Sequence, residues 1–414
     1  MQTGLTSGAI DPTSVLEVGS GFQMLAMLLT LGLGPLSKPW RTSQMKKSLV
    51  ALAALAATTA FAQSSVTLYG RIDLGLQSNS SAAGVAGASP KLSMVSGQAG
   101  ASRFGVRGTE DLGGGLKADF LVEAGLAADT GGVTQLGDRN IYAQLSGGMG
   151  AVRVGRFLNP QLLQVGKFAA FGTDYAGSGG NIMHIEGARY NNAVSFTTPT
   201  VGGFSATVMT AFEESNTFRV AQPQGATAST SATANNASSA TGNGVPATKK
   251  PLNIGLNFAN GPVSVGLAIA NDGVSGPDAV TNIGASYNLG FATVMAQFET
   301  NKNITAVAGK DAYMIGATAP MGAGLWRVAM GKRDAAGIEF AAVPEITSGT
   351  STSAAFQPGN STPNISAYKS LASVGYDYNL SKRTALYATY TRAEAFSAAM
   401  GKFNVVQLGV AHNF

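Results

Sequence analysis

Val66-Thr67-Leu68-Tyr69-Gly70-Arg71-Ile72-Asp73-Leu74-Gly75-Leu76 places Val66, Leu68, Ile72, Leu74 and Leu76 on one parity and Thr67, Tyr69, Arg71 and Asp73 on the other. Successive side chains of a strand point to opposite faces, so this stretch reads as a strand with one apolar and one polar face. Leu116 to Ala124 repeats the pattern, with Lys117, Asp119 and Glu123 against Leu116, Phe120 and Val122. The same alternation recurs in Arg189 to Thr197, Leu325 to Met330, Thr384 to Tyr390 and Val406 to the terminal Phe414. Beyond Gln63 no run of 18 apolar residues occurs, which argues against membrane-spanning helices.

A sandwich alternates in the same way, so the spacing of the turns has to discriminate. Tight Gly, Pro or Asn breaks fall at 111–115, 147–150, 198–203, 259–262, 288–290, 320–324 and 379–382. Longer polar segments lie between them, the clearest at 78–100, 158–187, 215–250 and 341–363. Short and long connections therefore alternate. Seven short turns join fourteen strands in pairs, and the first and last strands bring the count to about 16. Residues 63–414 then allow about 22 residues per strand and connection, enough for membrane strands of about 9–11 residues. The fold class expected is all-β: a transmembrane antiparallel β-barrel, closed because an open sheet edge leaves backbone groups unpaired in lipid. A barrel this wide is not filled by its own side chains and holds water.

Composition removes other functions. The chain has 414 residues, 54 of them Gly, with 12% charged residues and no Cys. That excludes disulfides, thiolate metal sites and thiol nucleophiles. The two histidines, His184 and His412, are far apart in sequence, so no multi-His metal site and no cofactor are expected, and a catalytic triad has little to draw on. His184 reads as a loop residue and His412 as a rim residue. Met45-Lys46-Lys47-Ser48, the apolar run 49–57 and Ala60 and Ala62 form the three parts of a secretory signal. Three segments are therefore expected: residues 1–44 as an upstream extension ahead of the true start, 45–62 as signal peptide, and 63–414 as the barrel. Removing residues 1–62 moves the formal net charge from +5 to +3, too small and dispersed a balance for a nucleic-acid partner. The low-complexity stretch 221–250 reads as a flexible external loop.

Several stretches together resemble the general porins of Gram-negative bacteria, particularly the neisserial and betaproteobacterial group. They are Val66-Thr-Leu-Tyr-Gly-Arg-Ile-Asp73, Ser102-Arg-Phe-Gly-Val-Arg-Gly-Thr-Glu-Asp-Leu-Gly-Gly-Gly-Leu116, Val152-Arg-Val-Gly-Arg156, Arg189-Tyr-Asn-Asn192 with Thr198-Pro199, Tyr378-Asn-Leu-Ser-Lys-Arg-Thr-Ala-Leu-Tyr387 and the terminal Phe414. The resemblance implies a homotrimer of sixteen-stranded barrels in the outer membrane, passing small hydrophilic solutes and ions by diffusion. It also implies contact with outer-membrane lipids and lipopolysaccharide, recognition by the barrel assembly machinery, and a third extracellular loop, here Leu158 to Gly187, folded into the lumen. The acidic Pro-Glu-Phe-Gly-Gly stretch of enterobacterial relatives is missing from that loop, which offers Lys167, Asp174 and Glu186 instead. Ala411 stands where many members carry Arg.

Flux through such a pore depends on its radius and on fixed charge at the constriction. Candidate lining cations are Arg71, Arg103, Arg107, Lys117, Arg153, Arg156, Lys167 and Arg189; Asp73, Asp119, Glu123 and Asp174 are the candidate acids. Basic residues crowd the first five strands, from which a mild anion preference is expected. Tyr69, Tyr190, Tyr378, Tyr390 and Phe414 suit interfacial aromatic girdles, and Phe414 additionally serves as the C-terminal assembly signal. The alternatives are a substrate-specific outer-membrane channel, which shares the barrel and differs in its lumen, a barrel enzyme, and a secreted β-rich adhesin. The adhesin predicts a fixed repeat that the sequence does not contain.

Overall fold

The computed structural model describes residues 65–80, 92–185, 187–212, 218–220, 245–247, 250–271, 279–301, 311–334, 368–395 and 401–414. Residues 1–44, the expected signal 45–62, Glu186 and most of 221–250 lie outside the described residues.

Sixteen strands make the wall. They are β1 Ser65–Asn79, β2 Arg103–Gly113, β3 Leu116–Ala127, β4 Asn140–Gly147, β5 Gly150–Leu158, β6 Arg189–Thr197, β7 Phe204–Ala211 and β8 Leu252–Asn260. The remainder are β9 Val263–Asn271, β10 Val280–Asn288, β11 Thr293–Asn301, β12 Asp311–Met321, β13 Gly324–Arg333, β14 Tyr368–Asn379, β15 Thr384–Ala395 and β16 Lys402–Asn413. Each pairs antiparallel with its successor. β16 returns to β1, from Arg71 opposite Asn413 to Asn79 opposite Val405, so the ring closes without an edge. Closure is what pairs every backbone group where lipid offers none.

All seven tight breaks read from the sequence are hairpins at one end of this ring. At the β2–β3 turn Gly113, Gly114 and Gly115 have φ of 82°, 61° and 81°, a region that side chains with a Cβ rarely enter. The second strand carries an interruption that alternation did not reveal. A short strand, Leu92–Ser96, pairs with the long-loop half of β1, and residues 97–102 bulge before β2 resumes the same ladder. The Ser102 hydroxyl stitches this bulge, accepting from the Asp73 N–H at 3.0 Å and donating to the Asp73 carbonyl at 3.1 Å.

Parity sorts the two faces as expected. Outward positions such as Val66, Leu68, Leu256, Ile315 and Leu408 are exposed to the surroundings, while Asn253, Asn282, Gln297 and Gln407 are buried on the inner side. Outward aromatics gather near the short turns, where Phe204 meets Phe258 with ring centroids 4.4 Å apart and Trp326 meets Tyr376 at 4.9 Å. Tyr378, Tyr390 and Phe414 also face out. Tyr69 and Tyr190 do not: the Tyr69 hydroxyl donates inward to Glu123 at 2.7 Å, and Tyr190 is fully buried. Tyr69 has the parity of Arg71 and Asp73 on the same strand, and Tyr190 lies opposite Phe157, next to a register shift.

Inside the ring, the segment between β5 and β6 lies against the inner wall of β8 to β16. It opens with the helix α1 Pro160–Lys167, started by Asn159, whose side chain accepts the Leu162 N–H at 2.7 Å, and by Pro160 in the first turn. A row of inward glycines makes room for it. A Cβ at Gly255 would lie 2.9 Å from Pro160, at Gly284 2.3 Å from Phe168, at Gly316 2.9 Å from Ala170, at Gly331 2.9 Å from Ile182 and at Gly375 2.9 Å from Phe171. With Gly266, whose Cβ would lie 2.8 Å from Phe168, the glycine excess of the composition thus has a structural use: six strands are bared where the segment passes. Val165, Phe171, Ile182, Met183 and Ile185 of the segment form an apolar cluster with Met314, Leu371 and Phe403 of the wall.

Candidate functional site

The site is the inner surface left uncovered by this segment, chiefly the face of β1 to β6. Register fixes which side chains reach it. Arg71 lies opposite Arg103, Thr67 opposite Arg107, and Thr109 opposite Asp119, so all six share the inner face with Tyr69 and Glu123. Arg153 lies opposite Gln144, which lies opposite Asp119. Lys117 is exposed one position from the β2–β3 turn, at the short-turn rim, and is not brought to the loop. Arg156 falls on a bulge between Gly155 and Phe157, where parity loses its meaning. Its guanidinium donates to the Asp138 carbonyl at 2.8 Å and to the Asn191 side chain.

The acids are already occupied. Asp73, fully buried, accepts from the Tyr387 hydroxyl at 2.8 Å, the Ala99 N–H at 3.0 Å and Arg71 at 3.2 Å. Glu123 accepts from Tyr69, from Arg139 at 2.9 Å and from Asn140 at 3.0 Å. Asp119 accepts from Thr109 at 2.7 Å and Gln144 at 3.1 Å. Asp174 of the inner segment accepts from Thr173 at 3.2 Å and acts electrostatically on Arg103.

The cations are not matched in this way. Among the described residues, Arg103, Arg107, Arg153, Arg156, Lys167 and Arg189 have no carboxylate within 4 Å. Arg103 feels Arg71 and Arg139, and Arg189 feels Arg139 and Arg156, so these five arginines form a run of mutually repelling neighbours. Arg107 lies over the Tyr69 ring at 5.2 Å, and Arg153 over Tyr142 at 4.2 Å. Lys167, at the C-terminal end of α1, reaches Asn257 at 3.4 Å, and burial holds its ammonium below the usual lysine range.

Several participants escaped the sequence reading. Arg139 and Asp138 belong to the β3–β4 connection, outside any alternating run. Arg327 and Arg333 on β13 grip the inner segment: Arg327 pairs with Asp377 at 2.8 Å and donates to the Ala170 carbonyl, while Arg333 pairs with Glu299 and donates to the Ile182 carbonyl at 2.7 Å. Arg327 sits within the Leu325 to Met330 alternation, which was a usable signal. His184 is buried, its backbone N–H donating to Glu299 at 2.8 Å, and His412 is exposed beside Thr384, so the histidines occupy the loop and rim expected of them. Ala411 lies inward opposite Asp73, at a position where a longer cation would have reached the lumen.

A closed antiparallel wall with an apolar, aromatic-banded exterior and a charged interior defines a transmembrane β-barrel channel. A family model described as Gram-negative porin matches residues 48–395. The chain is 34% identical over 360 residues to outer membrane porin protein 32 of Delftia acidovorans, covering 83% of this chain and 88% of that one. It is 28% identical over 414 residues to an outer membrane porin protein of Bordetella pertussis, covering 89% of this chain and all of the relative. An anion-selective porin from Comamonas acidovorans superposes with a TM-score of 0.59 at 27% identity, over 85% of this chain and all of that one. The chain belongs to the Gram-negative porin family and is an outer-membrane porin, a passive diffusion channel of the cell outer membrane.

Proposed function

We propose that this porin prefers anions, and that its constriction is formed by Arg71, Arg103, Arg156 and Arg189 on the wall, Arg139 of the β3–β4 connection and Asp174 on the inner segment. One observation carries the reading: the lumenal acids are engaged by donors, while six cations have no carboxylate partner among the described residues. Fixed charge of one sign in a narrow, low-dielectric channel raises the local concentration of the opposite ion. The similar Comamonas porin is named for the same selectivity.

The inner segment plays the part of the third extracellular loop in this reading, and the short turns face the periplasm. Residues 45–62 direct export and are removed, residues 1–44 precede the true start, and the barrel assembles as a homotrimer among lipopolysaccharide. Phe414, whose N–H donates to the Gly70 carbonyl at 3.1 Å, closes the barrel seam and is the residue offered to the assembly machinery. No catalytic role is assigned, the family and the relatives being channels. The test is the reversal potential of the refolded protein in a planar bilayer across a potassium chloride gradient. A potential of the sign set by chloride supports the proposal, and one set by potassium refutes it.

A further inference from the structure

We propose that a niche in the lumen wall beside α1 binds small organic carboxylates with a hydrocarbon body, aryl carboxylates of the size of benzoate above all, and delays them in transit. The inference rests on the porin reading and adds a solute class to it. The niche has a volume of about 230 Å³ and is bounded by β4 to β8 on one side and α1 on the other. That is below the roughly 300–1,000 Å³ of drug-sized sites, which sets the ligand at a single small ring or short chain.

Its lining combines two cations, Arg153 from the wall and Lys167 from the helix, with an apolar surface from Phe157, Leu163 and Met209, and includes no Asp or Glu. A site built only to speed chloride has no use for the apolar part, and one built for neutral solutes has none for the cations. Arg153 is held in advance. Its Nε donates to Gln144 at 2.9 Å, and Gln144 donates in turn to Asp119 at 3.1 Å. Its guanidinium plane is flanked by the Tyr142 ring at 4.2 Å and the Phe157 ring at 5.3 Å. With Nε committed to the wall, the two terminal nitrogens remain to hold a carboxylate as a fork. Lys167 supplies a second charge on a flexible stem, and it stands beside Leu163, half exposed on the same helix. Binding here must be weak enough for release, as conduction requires.

Single channels of the refolded porin in low-salt buffer provide the test, with benzoate, acetate and benzyl alcohol as probes. Benzoate is expected to interrupt the current at concentrations where acetate and benzyl alcohol do not. Arg153→Gln and Lys167→Gln are each expected to raise the half-blocking benzoate concentration by about tenfold. Lys167 is an exposed position on the loop helix, so its variant keeps the proposal testable should the Arg153 variant fail to fold. Equal interruption by acetate and benzoate, or unchanged benzoate block in K167Q, overturns the niche. Selectivity for potassium would refute the anion reading instead, and the two failures are read from different measurements on the same channels.

Discussion

Arg333 and Glu299 are both wholly buried, and together they hold the inner segment to β11 and β13. Removing one partner strands a charge, a loss of about 3–5 kcal/mol, whereas replacing both with apolar residues of similar volume is far less costly. Arg333→Met is therefore expected to lower resistance to urea unfolding in detergent sharply, and the double variant with Glu299→Leu to recover most of the loss; equal losses would place the contribution elsewhere. Lys167 makes a prediction in pH. Partial burial depresses its ammonium, so it discharges at lower pH than a free lysine. Anion preference should then fall as pH rises into the alkaline range, and the fall should be smaller in Lys167→Gln, as measured by reversal potential. At this scale parity shows which side chains turn inward, because period 2 is a property of the strand. It could not tell which of them meet a partner. Asp73 and Glu123 are bound by Tyr387 and Arg139, residues 314 and 16 positions away, and nothing local announces such contacts. Arg156 escaped parity because a bulge turned it.

The elements were legible where turn chemistry and alternation agree, which is why all seven hairpins fall where Gly, Pro and Asn cluster. They were illegible where an element answers to something across the lumen. Gly255, Gly266, Gly284, Gly316, Gly331 and Gly375 interrupt six strands and read singly as weak points in those strands. Together they are the bed of the segment between β5 and β6. The bulge at 97–102 belongs to the same class, since its Ser102 is held by the Asp73 backbone of β1. The glycine bed makes a directional prediction. In Gly284→Val the new Cβ would lie 2.3 Å from Phe168, so α1 must move away from the wall, toward open lumen. Overpacking of this kind costs about 1–3 kcal/mol. The expected result is a folded barrel with a smaller single-channel conductance. The same substitution at Gly114, where no atom lies within 4 Å but φ is 61°, should disturb the turn and leave conductance unchanged.

At the scale of the whole molecule the lumen is asymmetric. The inner segment lies on β8 to β16, whose lumenal arginines, Arg327 and Arg333, are both paired with carboxylates. Among the described residues, arginines without such partners lie on β2 and β5, with the buried Arg189 beside them on β6. Pairing matters because a neutral pair contributes little field beyond its own length, whereas unpaired charges of one sign add. The Debye length is about 10 Å at 0.1 M salt and about 3 Å at 1 M. At the lower concentration each arginine therefore reaches across much of a constriction, and at the higher it reaches only its neighbours. Selectivity that comes from this field must decay with salt, while selectivity from a rigid size filter must not. Reversal potentials taken at a fixed concentration ratio, stepped from 0.1 M to 1 M, should report an anion-to-cation permeability ratio that falls toward unity. Arg103→Gln should start lower on the same curve, having removed one contributor without disturbing a salt bridge. A ratio independent of salt would mean that the arginines stand beside the ion path and do not set it, and the constriction assigned to them would have to be moved.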